Sequence, residues 1–158
     1  MKMENKSLIK MWQEYQDRFG DVASEYEAWA FGNSKEMADE LADLVLAGVK
    51  TATSSLYLFY ELENETLPYV GLHNIILNGK GEAVAIIETT SVQITPYDEV
   101  TEEHAYLEGE GDRSLAYWQK VHEDFFKKEL REINRDFTED KLVVCEKFKL
   151  VYKNGEIC

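Results

Sequence analysis

The chain has 158 residues, 44% hydrophobic and 12% aromatic, so it can bury a core without metal or disulfide support and lies outside the disordered class. Acidic residues outnumber basic ones 31 to 17, a formal net charge of −14 that argues against duplex DNA and anionic membranes as partners. Cys145 and Cys158 form no disulfide framework, and His73, His104 and His122 show no metal-ligand spacing, so neither metal nor cofactor is expected.

The first residues, MKMENKSLIKMWQEY, hold no continuous apolar segment, which predicts a cytoplasmic chain without signal peptide or membrane span. Leu8, Trp12, Tyr15 and Phe19 recur at helical spacing up to Gly20, predicting a helix over 5–19. A second helix begins near Asn33, with Glu36 three residues on as in a capping box, and ends at Gly48 in the left-handed conformation. Residues 54–60 read as a short strand, followed by an acidic loop, Glu61 to Pro68. Two β-branched runs, 73–77 and 83–95, flank Asn78-Gly79-Lys80-Gly81, a strong hairpin signal with positive φ at Asn78 and Gly79. A third helix starts near Asp112 or Ser114 and carries Leu115, Trp118, His122 and Phe125 on one stripe. The last strand, 142–152, sets Leu142, Val144, Phe148, Leu150 and Tyr152 on one face, with Glu146 interrupting the apolar row. Three helices and four or five strands in irregular alternation predict an α+β domain.

Three stretches carry candidate chemistry. In AGVKTATSSL, residues 47–56, Lys50 sits three residues before Thr53. As a helix exit, the lysine would be exposed beside the terminal carbonyls. As a working residue it would be buried, facing Glu108 or Glu110, with Lys50 and Thr53 meeting across a bend rather than in a regular strand. A desolvated lysine can then take the proton of a hydroxyl. In TEEHAYLEGEGD, residues 101–112, Tyr106 and Leu107 would anchor the segment on apolar surface. Gly109 and Gly111 permit turns that aim Glu108 or Glu110 inward as a general acid or base. Arg113, at the start of the third helix, opposes the helix dipole unless it pairs with Glu108 or Glu110 or meets a ligand.

Taken together, the lysine-threonine box Gly48-Val49-Lys50-Thr51-Ala52-Thr53, Pro68–Gly71 leading into a hairpin, and the acidic segment around His104–Glu108 resemble the ASCH-domain family, similar in fold to PUA domains. TATSSL, GEGDRS and YWQKVHEDFF resemble its longer bacterial members. The resemblance implies one domain over 1–158: a small PUA-like β-barrel flanked by helices, core about 26–152, preceded by the first helix. It also implies a cleft where the box and the acidic segment converge. Some small members remove the acyl group from N4-acetylcytidine with a lysine, a threonine three later and a glutamate; these fall on Lys50, Thr53 and Glu108. Those members carry an arginine where this chain has Ser55, and an arginine's charged fork has no substitute in serine. The expected function is hydrolysis of an amide on a modified nucleoside or similar small molecule, with Thr51, Ser55, Tyr106, Glu110, Arg113 and Trp118 binding substrate. The alternatives are an RNA- or nucleotide-binding module, with Tyr106 or Trp118 as a stacking surface, and a ribonuclease.

Overall fold

The computed structural model of the chain describes residues 5–20, 25–153 and 156–157. Helix α1 (Lys6–Phe19) starts where the Asn5 side chain accepts from the Leu8 amide. Strand β1 (Tyr26–Ala30), helix α2 (Lys35–Leu46), strand β2 (Ala52–Leu56) and helix α3 (Tyr57–Leu62) follow. Strands β3 (His73–Leu77) and β4 (Ala83–Pro96) form the hairpin, and helices α4 (Glu102–Glu108) and α5 (Leu115–Arg131) lead to β5 (Leu142–Lys153) and β6 (Glu156–Ile157). The sheet is mixed, in the order β1-β3-β4-β5-β2, with β6 also on β5; among the described residues only β1 and β3 run parallel. Irregular register at Ile86/Ile87 and Thr89/Ser91 bends the long β4. This α+β sheet forms a half-barrel, with β1 and β2 as its edges.

The hydrophobic periods predict which face each helix covers. Ile75 and Ile86 meet Trp12 and Tyr15 of α1, while their neighbours Ile76 and Ile87 meet Leu41 and Val45 of α2. Alternate strand residues point to opposite faces, so α1 and α2 take opposite sides of the sheet. A third cluster packs Trp118, Phe126 and Leu130 of α5 against Leu56, Val143 and Cys145, and so closes the β2–β5 end.

Five α-helices and six strands are present among the described residues, against three and four or five expected. The predicted strand over 54–60 stops at Leu56, and Tyr57–Leu62 turns helical, carrying Phe59 and Tyr60 to the cleft. Ser34, not Asn33, caps α2, accepting from the Met37 amide at 3.1 Å. The hairpin is as expected, but its left-handed residue is Gly81 (φ 79°), because the turn closes between Asn78 and Glu82. On β5, Leu142 is exposed and Val143, Val144, Cys145 and Glu146 are all buried: this strand is covered on both faces there, which erases the two-residue period. No helix of the described residues is long and apolar enough to cross a membrane.

Candidate functional site

A cleft of about 760 Å³ opens between β1 and β2, where the half-barrel stays unclosed, with α3 and α5 contributing further walls. Lys50 reaches it because of how α2 ends. Gly48 (φ 76°) donates to Val45 O and Val49 donates to Leu44 O, each at 3.0 Å, the paired bonds of a Schellman motif. The reversed chain sends Lys50 inward, where it is 1% exposed. Its Nζ donates to Ala52 O (2.9 Å), Glu110 Oε2 (3.1 Å) and Glu108 Oε1 (3.3 Å), and lies 5.3 Å from the Phe31 ring centroid. Lys50 is therefore the cation of a buried ion pair with two carboxylates, not an exposed helix-exit residue.

Both glutamates arrive together because α4 ends on Gly109 (φ 75°). A Cβ at this glycine would stand 2.6 Å from Val49 O, so the residue needs both the positive φ and the missing side chain. Glu108, 1% exposed, is the hub. Its Oε2 accepts from Ser54 Oγ and Trp118 Nε1, each at 2.5 Å, and lies 2.9 Å from His104 Nε2. Its Oε1 faces Lys50 and, at 3.4 Å, His122 Nε2. Burial would raise the Glu108 pKa, but the charges of Lys50 and His122 and the hydrogen bonds of His104 and His122 hold it well below the usual carboxylate range. Burial opposes charge on His104 as well; hydrogen bonds with Cys145 and Glu108 prevail and lift it to about 9. His122 is raised too, Glu108 outweighing burial. Its Nδ1 donates to Trp118 O at 2.9 Å while Nε2 faces a carboxylate, so both acceptors are served by an imidazolium.

Ser54, His104 and Glu108 carry the residue types of a catalytic triad without its geometry. One ring nitrogen, His104 Nε2, faces both the serine (2.8 Å) and the glutamate (2.9 Å), whereas a relay uses the two nitrogens separately. Ser54 and His104, with Trp118, clamp Glu108 instead. Ligand atoms of Glu108, Glu110 and His122 lie within 4.8 Å of one another, close enough to hold a metal ion. Lys50 already supplies a cation to both of those carboxylates.

Lys50, Thr53, Ser55, Glu108 and Glu110 all line the cleft. Lys50 precedes β2 and Thr53 stands inside it, so the expected bend does not hold both, and no hydrogen bond joins them among the described residues. Thr51 turns to α4, its amide donating to Leu107 O at 2.8 Å. Trp118 lies beneath Glu108 at 3% exposure rather than as an open stacking surface. Arg113 does not pair with Glu108 or Glu110: its guanidinium stacks 3.6 Å from the Tyr106 ring centroid, and Nε donates to Tyr106 O at 2.9 Å. Its left-handed φ of 66° places it before the helix, outside the dipole it was expected to oppose. No sequence motif marks Trp29 and Phe31, which line the cleft, or Glu27, Glu129 and Glu146, which make it acidic. Only Glu146 had left a signal, as the charge inside an apolar row.

The ASCH domain family model matches residues 27–152. The chain is 38% identical to the ASCH domain from Lactobacillus crispatus JV V101, with a TM-score of 0.88 over 95% of this chain and 96% of that one. It is 39% identical to a protein from Enterococcus faecalis V583, with a TM-score of 0.86 over 92% of this chain and 88% of that one. None of the curated proteins matches.

Proposed function

Starting from the fact that the chain belongs to the ASCH domain family, we propose that it hydrolyses an amide on a modified nucleoside or a similar small molecule. The observation that carries this reading is the cleft wall that gathers Lys50, Thr53 and Glu108 in one concave site. Among the described residues the lining also holds Glu27, Glu65, Glu110, Glu129 and Glu146 but no arginine and no second lysine. Such a wall repels phosphates, which disfavours an RNA-binding or RNA-cleaving role.

In the proposed reaction Thr53 Oγ1 attacks the acyl carbon. Threonine needs an activating base, and Lys50 begins as an ammonium, so it must first release a proton. Glu110 is the natural acceptor, 3.1 Å away and the more exposed of the two carboxylates. Substrate that displaces water from the cleft favours this transfer, because two neutral groups survive desolvation better than an ion pair. The neutral amine then takes the Thr53 proton and returns it to the leaving nitrogen; water releases the acyl group from Thr53. Glu108, held charged by its clamp, orients Lys50 throughout. The test is a screen of acylated cytidine nucleosides against the wild type, Lys50→Ala and Thr53→Ala. Release of the free amine by the wild type and by neither variant is expected. Equal turnover in Thr53→Ala would remove the threonine from the mechanism.

A further inference from the structure

The cleft is unequally supplied with cations. At one end Glu108 and Glu110 share Lys50, and Glu108 also faces two histidines. At the other end Glu146 is 6% exposed and lines the cleft without a basic partner. Thr89 Oγ1 donates to its Oε2 at 2.7 Å, and among the described residues no hydrogen bond or ion pair reaches Oε1. That oxygen is not among the buried unpaired atoms, so it opens to the cleft, where a donor on a ligand can reach it. Glu146 is also the cross-strand partner of Thr53, so the two side chains share one face of the β2–β5 pair. Glu27, on β1, lies close enough for its charge to act on Glu146, and Tyr60 feels both carboxylates. Trp29 and Phe59 add flat apolar walls.

From this geometry we infer that Glu146 is a recognition site for a planar amidine edge, meaning an amino N–H beside a protonatable ring nitrogen, presented next to the group at Thr53. Such an edge hydrogen-bonds a carboxylate through two parallel contacts, and its ring fits between aromatic side chains. A cation shared by Glu27 and Glu146 would also relieve their repulsion. This assignment rests on reading the cleft as the reaction site, and it narrows the substrate class to amino-substituted nitrogen heterocycles.

The experiment measures binding, not turnover. Benzamidine, benzamide and benzoate are matched in shape and differ in the edge they present. They are titrated calorimetrically, at fixed ionic strength, into the wild type, Glu146→Gln and Lys50→Met. Benzamidine is expected to bind the wild type roughly tenfold or more tighter than benzamide, with benzoate weakest. Glu146→Gln should lose that preference and Lys50→Met should keep it. Equal binding of the three ligands to the wild type, or no binding of benzamidine, overturns the assignment without reference to any variant. So does a preference that survives in Glu146→Gln. Acylated nucleosides left intact by the wild type would refute the hydrolase reading alone, because amidine selectivity does not depend on turnover.

Discussion

Glu108 and Glu146 are both glutamates more than nine-tenths buried on one cleft, yet their surroundings drive them in opposite directions. Burial pushes each towards the neutral acid. Around Glu108, Lys50, His104 and His122 overcome that push and hold the anion. Around Glu146, the Thr89 hydroxyl alone lowers the pKa, Glu27 adds repulsion, and the net shift is upward. Burial marks a charge as costly, while the partners decide whether that cost is met within the protein or left for a ligand.

The sharpest way to break this contrast is to delete each carboxylate. Glu108→Ala strands Lys50, His104 and His122 without their anion and should cost about 3–5 kcal/mol in urea unfolding. Glu146→Gln keeps the Thr89 bond and removes a repulsive charge, so its change should stay within about 1 kcal/mol. Comparable losses for the two would erase the distinction.

Next in size is Lys50→Met, expected to cost about 3 kcal/mol because it breaks a buried pair, while leaving a folded protein without amide turnover. Combined with Glu108→Gln, it should cost less than the two single losses added together, since each single change strands the other partner.

Titration separates the two ends more gently. His104 is raised to about 9 from an ordinary 6.5, so the folded state holds this proton more tightly. Its stabilising contribution is full below pH 6.5 and should fade as pH climbs through 9. Glu129, also on the cleft lining, is raised to about 7 by burial and by Glu132 and Glu63. A raised acid works in the same sense: stability should increase as pH falls from 7 towards 4.5, and Glu129→Gln should flatten that rise. Glu108 opposes it further down, its contribution being lost as pH falls below 4.5 through its depressed folded value. Thermal unfolding across pH 4 to 10 reads the first two, and carrying the series further into acid reads Glu108.

The smallest expected signal concerns polyanions. Neither end of the cleft offers a free basic side chain, and the net charge is −14. Duplex DNA at physiological salt should bind no tighter than roughly 10⁻⁴–10⁻⁶ M by anisotropy.

Periodicity and punctuation in the sequence were enough for α1, α2, α5, the β3–β4 hairpin and β5, because those elements bury long apolar stripes whose spacing survives in one dimension. Gly48 was legible because a glycine after a predicted helix marks where the chain can reverse, and Gly109 because a glycine between two glutamates permits a tight turn, although the helix α4 before it was not expected. Together with the resemblance of the lysine-threonine box, they pointed to Lys50 facing Glu108 or Glu110. Short elements escaped. Strand β1 has five residues with no alternation of burial, and α3 follows a strand without a break in composition. What only the tertiary structure decided is which charges have partners. Glu108 and Glu146 are the same residue type; one partner of Glu108, His104, is a turn before it on α4, and the others are distant in the sequence. Lys50 lies 58 positions from Glu108, and Thr89 lies 57 from Glu146. Folding brings one glutamate to Lys50 and His122 and the other to a single hydroxyl, because sheet register and helix packing, not local sequence, set distances between side chains that far apart.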